Sequence, residues 1–252
     1  MKNKSLIKPS LIPTFILNSR FDKLVDVLDE IIALRDDESM VTANKVLSKP
    51  EFLCLLIKGI SNSPSMLSRT LAGSYYHENG FHKIVLLSGK FFKLRLHHFG
   101  VSAKIPMENI HDHRWAFAST ILKGDLKMDL FMPTQKGSST EKAYHFIYEV
   151  DKSSGNYNTE FVSVAHLKKS ESRTYRSGDT YLMNTHELHR IRNTSGQESI
   201  TLILTGKPLS SKCNLFARRM ILEDEKKTIS YGEEKMIDML EAISEKIYPQ
   251  KN

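Results

Sequence analysis

Cysteine is scarce in this chain: Cys54 and Cys213 are the only two in 252 residues, and they lie far apart. A disulfide framework is excluded in practice, and Cys54 sits in the apolar stretch FLCLLI, the ordinary setting of a buried thiol. No run of about 18 apolar residues occurs, so no transmembrane helix and no membrane partner are expected. An export signal of the usual form is also missing. Lys2, Lys4 and Lys8 precede LIPTFIL, but that run is short, contains Pro13 and lacks a small-residue cleavage site. These absences point to a cytoplasmic protein. The net charge of +7 is scattered among acids rather than gathered into a basic run or interleaved with aromatics. A nucleic-acid partner is therefore not expected, although charge of this sign helps draw a small anion.

What is present falls into three stretches. Residues 19–35 carry Phe21, Leu24, Val25, Leu28, Ile31 and Ile32 at helical spacing, with Ser19 and Asp22 placed to open the helix. A second helix is expected from Ser48, with Pro50 in its first turn and Glu51 completing a capping box, to about Gly59; a third starts at Ser63 and Pro64. From Phe81 to Phe216 the texture becomes strand-like, in HKIVLLS, FFKLRLHH, TEFVSVAHL and SITLILTG, separated by Gly, Asn and Ser turns. Helix returns from Glu233 to Tyr248, with Met236, Met239, Leu240, Ile243 and Ile247 on one face. The reading is a mainly β protein: a barrel over 81–216, a helical N-terminal region over 1–80 packed on it, and a helical extension over 217–252. There is no internal repeat. The helices cover a sheet face or form a dimer interface, so monomer and homodimer both stay open.

The chemistry concentrates in IHDH. Side chains alternate faces along a strand, so His111 and His113 point one way and Asp112 the other, and two imidazoles converge. A third ligand has to come from a neighbouring strand. The stretch Ser177–Asn193 has the right form, a Gly-Asp turn, an apolar strand, a polar turn and then His189, with His186 its competitor in THELH. Imidazole suits iron, zinc, copper and nickel alike. Three neutral ligands leave a dipositive charge uncompensated, which favours an anionic substrate group on the metal.

These residues, with Gly124 after the apolar run and Asn193 four residues beyond His189, resemble the two motifs of the cupin superfamily over roughly residues 81–207. The resemblance implies a double-stranded β-helix, or jelly-roll barrel, and it selects His189 over His186. Counting back from Gly124 puts Phe117 where cupins usually carry a glutamate, leaving an all-histidine triad. Within the superfamily, GKFFKLRLHHFG, IHDH, LKGDLKMDLF and LHRIRNTSGQESITLILTGKP are similar, in the same order, to cysteine dioxygenase and related thiol dioxygenases. That resemblance implies Fe(II) held by His111, His113 and His189, with dioxygen and a small-molecule substrate as partners; zinc, manganese and nickel are the alternative metals. Other features of that family are missing. Its cross-linking cysteine falls at Phe117, its Ser/His/Tyr series at Thr201, Ile203 and Thr205, and its substrate-clamping arginine near Phe81 and His82.

The functional expectation is an Fe(II)-dependent oxygenase acting on a small polar or anionic metabolite, such as a thiol or amino-acid derivative, but not efficiently on cysteine. A non-oxidative metal cupin (isomerase or lyase) and a non-catalytic small-molecule-binding cupin are the alternatives. Trp115, Phe117 and Ser119 share a strand face beside the ligands, and Tyr181, His186 and His98 complete the expected pocket. His98 is placed there because it alternates with Leu94 and Leu96, expected to line the cavity. On the same argument Arg95 points away with Lys93 and His97, and Arg114 points away opposite His113. His77, His82, His97 and His166 receive no role.

Overall fold

The structure is a computed structural model describing residues 9–77, 79–101, 108–150, 157–193, 196–220 and 229–248; Lys2, Lys4 and Lys8 lie outside the described residues. Among the described residues a 3-10 turn (Pro9–Leu11) and five α-helices precede the strands: α1 (Ile12–Leu17), α2 (Phe21–Ala33), α3 (Asp37–Leu47), α4 (Pro50–Ser61) and α5 (Pro64–Gly73). The helical expectation for this region holds, but two starts differ. Ser19 adopts φ 53° in the turn before α2 and places no side-chain cap on that helix. Ser48 does not open α4. It ends α3, its hydroxyl donating back to the carbonyl of Lys45 at 2.9 Å, and Lys49 precedes Pro50 without a side-chain cap. The capping-box reading of Ser48 and Glu51 is thus overturned, because α3 fills the stretch in front of it. That helix has its own start: the Asp36 carboxylate accepts from the amides of Glu38 and Ser39 at 3.3 and 3.1 Å, satisfying two of the donors a helix leaves open.

The strands are β1 (Tyr75–His77), β2 (Phe81–Ser88), β3 (Lys93–Phe99), β4 (Ile110–His111), β5 (Phe117–Lys123), β6 (Asp125–Thr134), β7 (Thr140–Val150), β8 (Tyr157–Arg176), β9 (Thr180–Met183), β10 (Leu188–Arg192), β11 (Ser199–Thr205) and β12 (Lys212–Ala217). The last helix, α6 (Glu233–Ile247), matches the C-terminal expectation to within a residue. Strand pairing begins at Tyr75, ahead of residue 81, because β1 turns back onto β2. One sheet runs β1-β2-β3-β11-β5-β9; the other, β10-β4-β12-β7-β8-β6, closes on itself through the long β7–β8 hairpin. All pairings are antiparallel. The architecture is the expected mainly β double-stranded β-helix with helices added at both ends.

The first sheet is buried on both faces, and this decides where the site lies. Leu94, Leu96, Leu202, Leu204, Ile84 and Ala118 pack under the helices with Leu24, Leu28, Ile31, Leu53, Leu56 and Leu240, and Ile12 and Ile16 of α1 join the same core. Each large aliphatic side chain buried there contributes about 1.5–3 kcal/mol. Asn44 of α3 reaches into this layer, donating from Nδ2 to Thr120 Oγ1 (2.9 Å) and to the carbonyl of Leu202 (3.3 Å), so the helix is registered on β5 and β11. The opposite face of the first sheet meets the second sheet in a separate apolar interior, where Phe81, Phe99, Phe117, Tyr181 and Ile203 pack with Leu126 and Met128 of β6. No helix among the described residues is long and apolar enough to cross a membrane.

Candidate metal centre

Strand β4 lies between β10 and β12, and its register sets the centre: His111 is the cross-strand partner of His189 on one side and of Leu215 on the other. Strand geometry ends at His111, yet the next amide, of Asp112, still donates to the carbonyl of Asn214 at 3.1 Å. His113 follows just beyond, and the imidazoles of His111, His113 and His189 converge with ligand nitrogens all within 4.8 Å of one another. Ring centroids are 4.8 Å apart for His111–His113, 4.6 Å for His111–His189 and 5.0 Å for His113–His189.

Two of these imidazoles are held in a defined tautomer. Nδ1 of His111 lies 2.9 Å from the carbonyl of Asn109, and Nδ1 of His189 lies 3.0 Å from that of Glu187. A carbonyl only accepts, so each Nδ1 carries the proton and each Nε2 lone pair is left for a metal. Burial pushes His189 down to about 3, reinforced by His111, and pushes His113 well below the ordinary histidine range, with His111, His189, Arg95 and His97 adding to the effect. Neutral imidazole is the ligating form. A metal bound at about 2.1 Å sets ligand nitrogens roughly 3–3.5 Å apart, a contraction that small ring rotations supply. The three residues therefore fit a divalent metal, with no carboxylate in the cluster.

Asp112 explains the middle of the H-x-H. It points away from the imidazoles, as alternation requires, is 3% exposed, and accepts from the backbone N–H and the Nδ2 of Asn214, both at 2.6 Å. This ties the ligand-bearing segment to β12. Gly124 answers to its motif as well: it has φ +76°, and a Cβ there would lie 2.4 Å from the carbonyl oxygen of Glu198. Asn193 Nδ2 donates to the carbonyl of Gln197 at 2.5 Å, bracing the turn after β10.

Of the expected pocket residues, two lie against His113 and two lie further into the interior. Phe117 presents its ring edge-on to His113 at 5.0 Å, Trp115 stacks on His113 at 6.0 Å, and buried Ser119 and Tyr181 are register partners deeper in the same interior. His186 is not part of the interior. It sits in the β9–β10 turn with φ 69°, its side chain 75% exposed and 3.9 Å from Asp112.

His98 corrects the sequence reading. It faces the helix side of the first sheet, where its Nε2 meets Glu198 at 2.6 Å, and Glu198 also binds Lys123 and Lys246 of α6. Although burial opposes it, donors from Lys246, His98 and Lys123 pull the Glu198 carboxyl down to about 2. Leu94 and Leu96, taken as cavity-facing, belong to the same helix-covered face. The other parity of β3 is inside: Arg95, His97 and Phe99 pair with Ile203, Thr201 and Ser199 of β11. Arg95, expected to point away, is 8% exposed with its guanidinium 5.2 Å from the Trp115 ring, and Arg114 stands over that ring at 4.8 Å. Lys83 of β2 is the partner of His97 and points the same way. Burial, then the charges of Arg95, Lys93 and Arg114, push the Lys83 ammonium down to about 6. Lys83, Arg95 and His97 are what sequence reasoning missed. The signal was there, as alternate positions on two adjacent strands, but not which face was inward.

No protein-family model matches the chain, and no curated protein matches it in sequence. Solved structures with some likeness include a protein with a double-stranded β-helix domain from Klebsiella pneumoniae (10% identity over 57% of this chain and 89% of that one, TM-score 0.33). An RmlC-like cupin from Shewanella frigidimarina gives 10% identity over 54% and 85% at TM-score 0.32. A hydroquinone 1,2-dioxygenase from Sphingomonas gives 8% over 56% and 72% at TM-score 0.32. Likenesses this distant carry no inference about chemistry.

Proposed function

We propose that this chain is a non-haem Fe(II)-dependent oxygenase acting on a small polar or anionic metabolite, with His111, His113 and His189 holding the metal. The observation that carries the reading is the convergence of three imidazoles, two with fixed tautomers, at the edge of an apolar interior. Imidazole alone does not choose among iron, zinc, manganese and nickel; the choice of iron rests on the sequence resemblance. A metal held by these three histidines would supply Lewis acidity and, if iron, activation of dioxygen.

The chain's own residues do the rest. The carbonyls of Asn109 and Glu187 keep two imidazoles aimed inward. Phe117 sets an apolar ring beside His113 where cupins usually carry a glutamate, so the three histidines would leave the charge of a bound metal uncompensated, which would favour an anionic substrate group. The Tyr181 phenol, raised by burial, stays protonated beside its register partner Ser119. Tyr175, stacked on the Tyr181 ring at 4.3 Å, limits its motion.

The test is anaerobic purification, elemental analysis, and oxygen-consumption screening of the Fe(II)-loaded protein against thiols, amino acids and small carboxylates. About one iron per chain and iron-dependent oxygen uptake with one substrate class support the proposal. Turnover without dioxygen on zinc, manganese or nickel would replace it with an isomerase or lyase reading. Ligand binding without turnover on any metal would leave a binding protein.

A further inference from the structure

We infer that Lys83, Arg95 and His97 form an oxyanion subsite beside the three histidines, so that the substrate is a small dianion with one anionic end at the metal and a carboxylate or phosphate on this cationic wall. The inference rests on the metal-site reading above and extends it to a substrate class.

Register places the three residues together. Lys83 and His97 are partners across β2–β3, and Arg95 is two residues from His97 on the same face of β3. That face is the one carrying Phe81 and Phe99, and Phe81 lies against the His97 ring at 4.5 Å. The wall is joined to the metal ligands through one side chain: Arg95 sits over Trp115, which stacks on His113. The charges of Arg95 and His97 act on His113 itself, which places them within its electrostatic reach.

Arg95 carries the standing charge of this wall; burial holds Lys83 down to about 6 and His97 well below the ordinary histidine range, so their positive charge comes with a bound anion, and no acid balances Lys83. Lys83 Nζ donates to the Tyr75 hydroxyl at 2.8 Å and lies 4.4 Å from that ring, and no carboxylate among the described residues pairs with it. His97 Nε2 is buried and has no hydrogen-bond partner among the described residues. Burial beside Arg95 favours the neutral forms of Lys83 and His97, and a bound oxyanion favours their protonated ones, so anion binding and proton uptake go together here. Guanidinium offers a two-point grip on a planar or tetrahedral oxyanion, and ammonium a point charge, so the set recognises charge and shape together. Anchoring a substrate at two places fixes the atom to be attacked relative to the metal.

The experiment loads the full-length protein with Co(II), follows its visible absorption, and titrates malonate, succinate and phosphonoacetate against acetate. Wild type is expected to bind at least one two-ended anion about tenfold or more tighter than acetate, the size of one charge-assisted contact. In Lys83→Met and in Arg95→Gln that preference collapses towards unity, while cobalt content and acetate affinity hold; Arg95→Lys, which keeps the charge, retains much of it. Malonate against phosphonoacetate tells carboxylate from phosphate-type recognition. The inference is overturned if wild type shows no preference for any two-ended probe, or if the preference survives both charge-removing variants. Thermal melts establish that each variant is folded. If the protein takes up no cobalt, the metal reading fails separately. Calorimetry of the metal-free protein then decides: malonate or phosphonoacetate binding that weakens in both variants supports the wall, and heats unchanged by them refute it.

Discussion

Replacing Asp112 by Ala should loosen the metal centre without touching a ligand. Asp112 stands between two metal-facing histidines, is almost fully buried, and receives two hydrogen bonds of 2.6 Å from Asn214. Asn214 in turn places its Oδ1 2.8 Å from His145 Nε2, and His145 stacks on Phe216 at 4.4 Å. A hydrogen bond to a charged group contributes about 1.5–3 kcal/mol, and a buried donor left unpaired costs about 1–3 kcal/mol. Removing a carboxylate that is itself costly to bury offsets part of this. The net loss is about 2–4 kcal/mol, or roughly 5–15 °C in melting temperature for a chain of this size. Because β4 is only two residues long, its place depends on this tie to β12, and metal affinity should fall about tenfold, the low end for residues that orient ligands. Asp112→Asn keeps an acceptor for one donor but turns an amide towards the other, and should fall between. Denaturation followed by circular dichroism gives the stability, and competition with a chelating zinc indicator gives the affinity. A folded Asp112→Ala with lowered melting temperature but wild-type zinc affinity would refute the positioning argument; no change in either would refute the energetic one as well.

Three further outcomes follow from the same geometry. His189→Ala should lose nearly all bound metal while His186→Ala retains it, since His186 is exposed in a turn; full metal content in His189→Ala but not in His186→Ala, by elemental analysis, would reverse the choice of ligand. Phe117→Glu puts an unpaired carboxylate in an apolar interior, so the metal-free variant should lose about 2–5 kcal/mol and recover more than wild type on adding metal; absence of that metal-dependent recovery means residue 117 does not face the ions. For pH, His189 is depressed to about 3 in the folded, metal-free protein against about 6.5 unfolded. Its contribution is therefore present above 6.5 and lost as pH falls towards 3, because the unfolded chain takes up the proton first. Each pH unit below 6.5 should cost about 1.4 kcal/mol from this residue, with His113 acting in the same sense; urea midpoints that stay flat from pH 7 to 5 would contradict the burial of these imidazoles.

Much of the centre was written locally. IHDH carries its own geometry, because alternation separates the two histidines from Asp112, and Gly124 is called for by a backbone conformation with positive φ. The helical termini and the β texture between them were likewise legible, since periodicity reports burial on one face. The failures have a common source. Ser48 resembled a helix start because its local sequence suits a cap, while the helix it ends, α3, interrupts its buried stripe of Met40, Ala43 and Leu47 with Asn44, which is held against β5 and β11.

In KLRLHHF the alternation is plain, and it divides the strand correctly into a leucine face and a basic face. Period two says which residues go together; it does not say which set goes inside. The ordinary preference assigns leucines to the cavity, but the helices cover the outer face of this sheet and claim Leu94 and Leu96 for their core. Arg95 and His97 are thereby turned towards the three histidines, and His98 away from them. The pairing of His111 with His113 was legible in short-range alternation and the choice of His189 in the cupin resemblance, whereas the basic lining of the barrel was decided only when α1–α6 packed on the sheet, because burial of a two-sided strand depends on what covers each side.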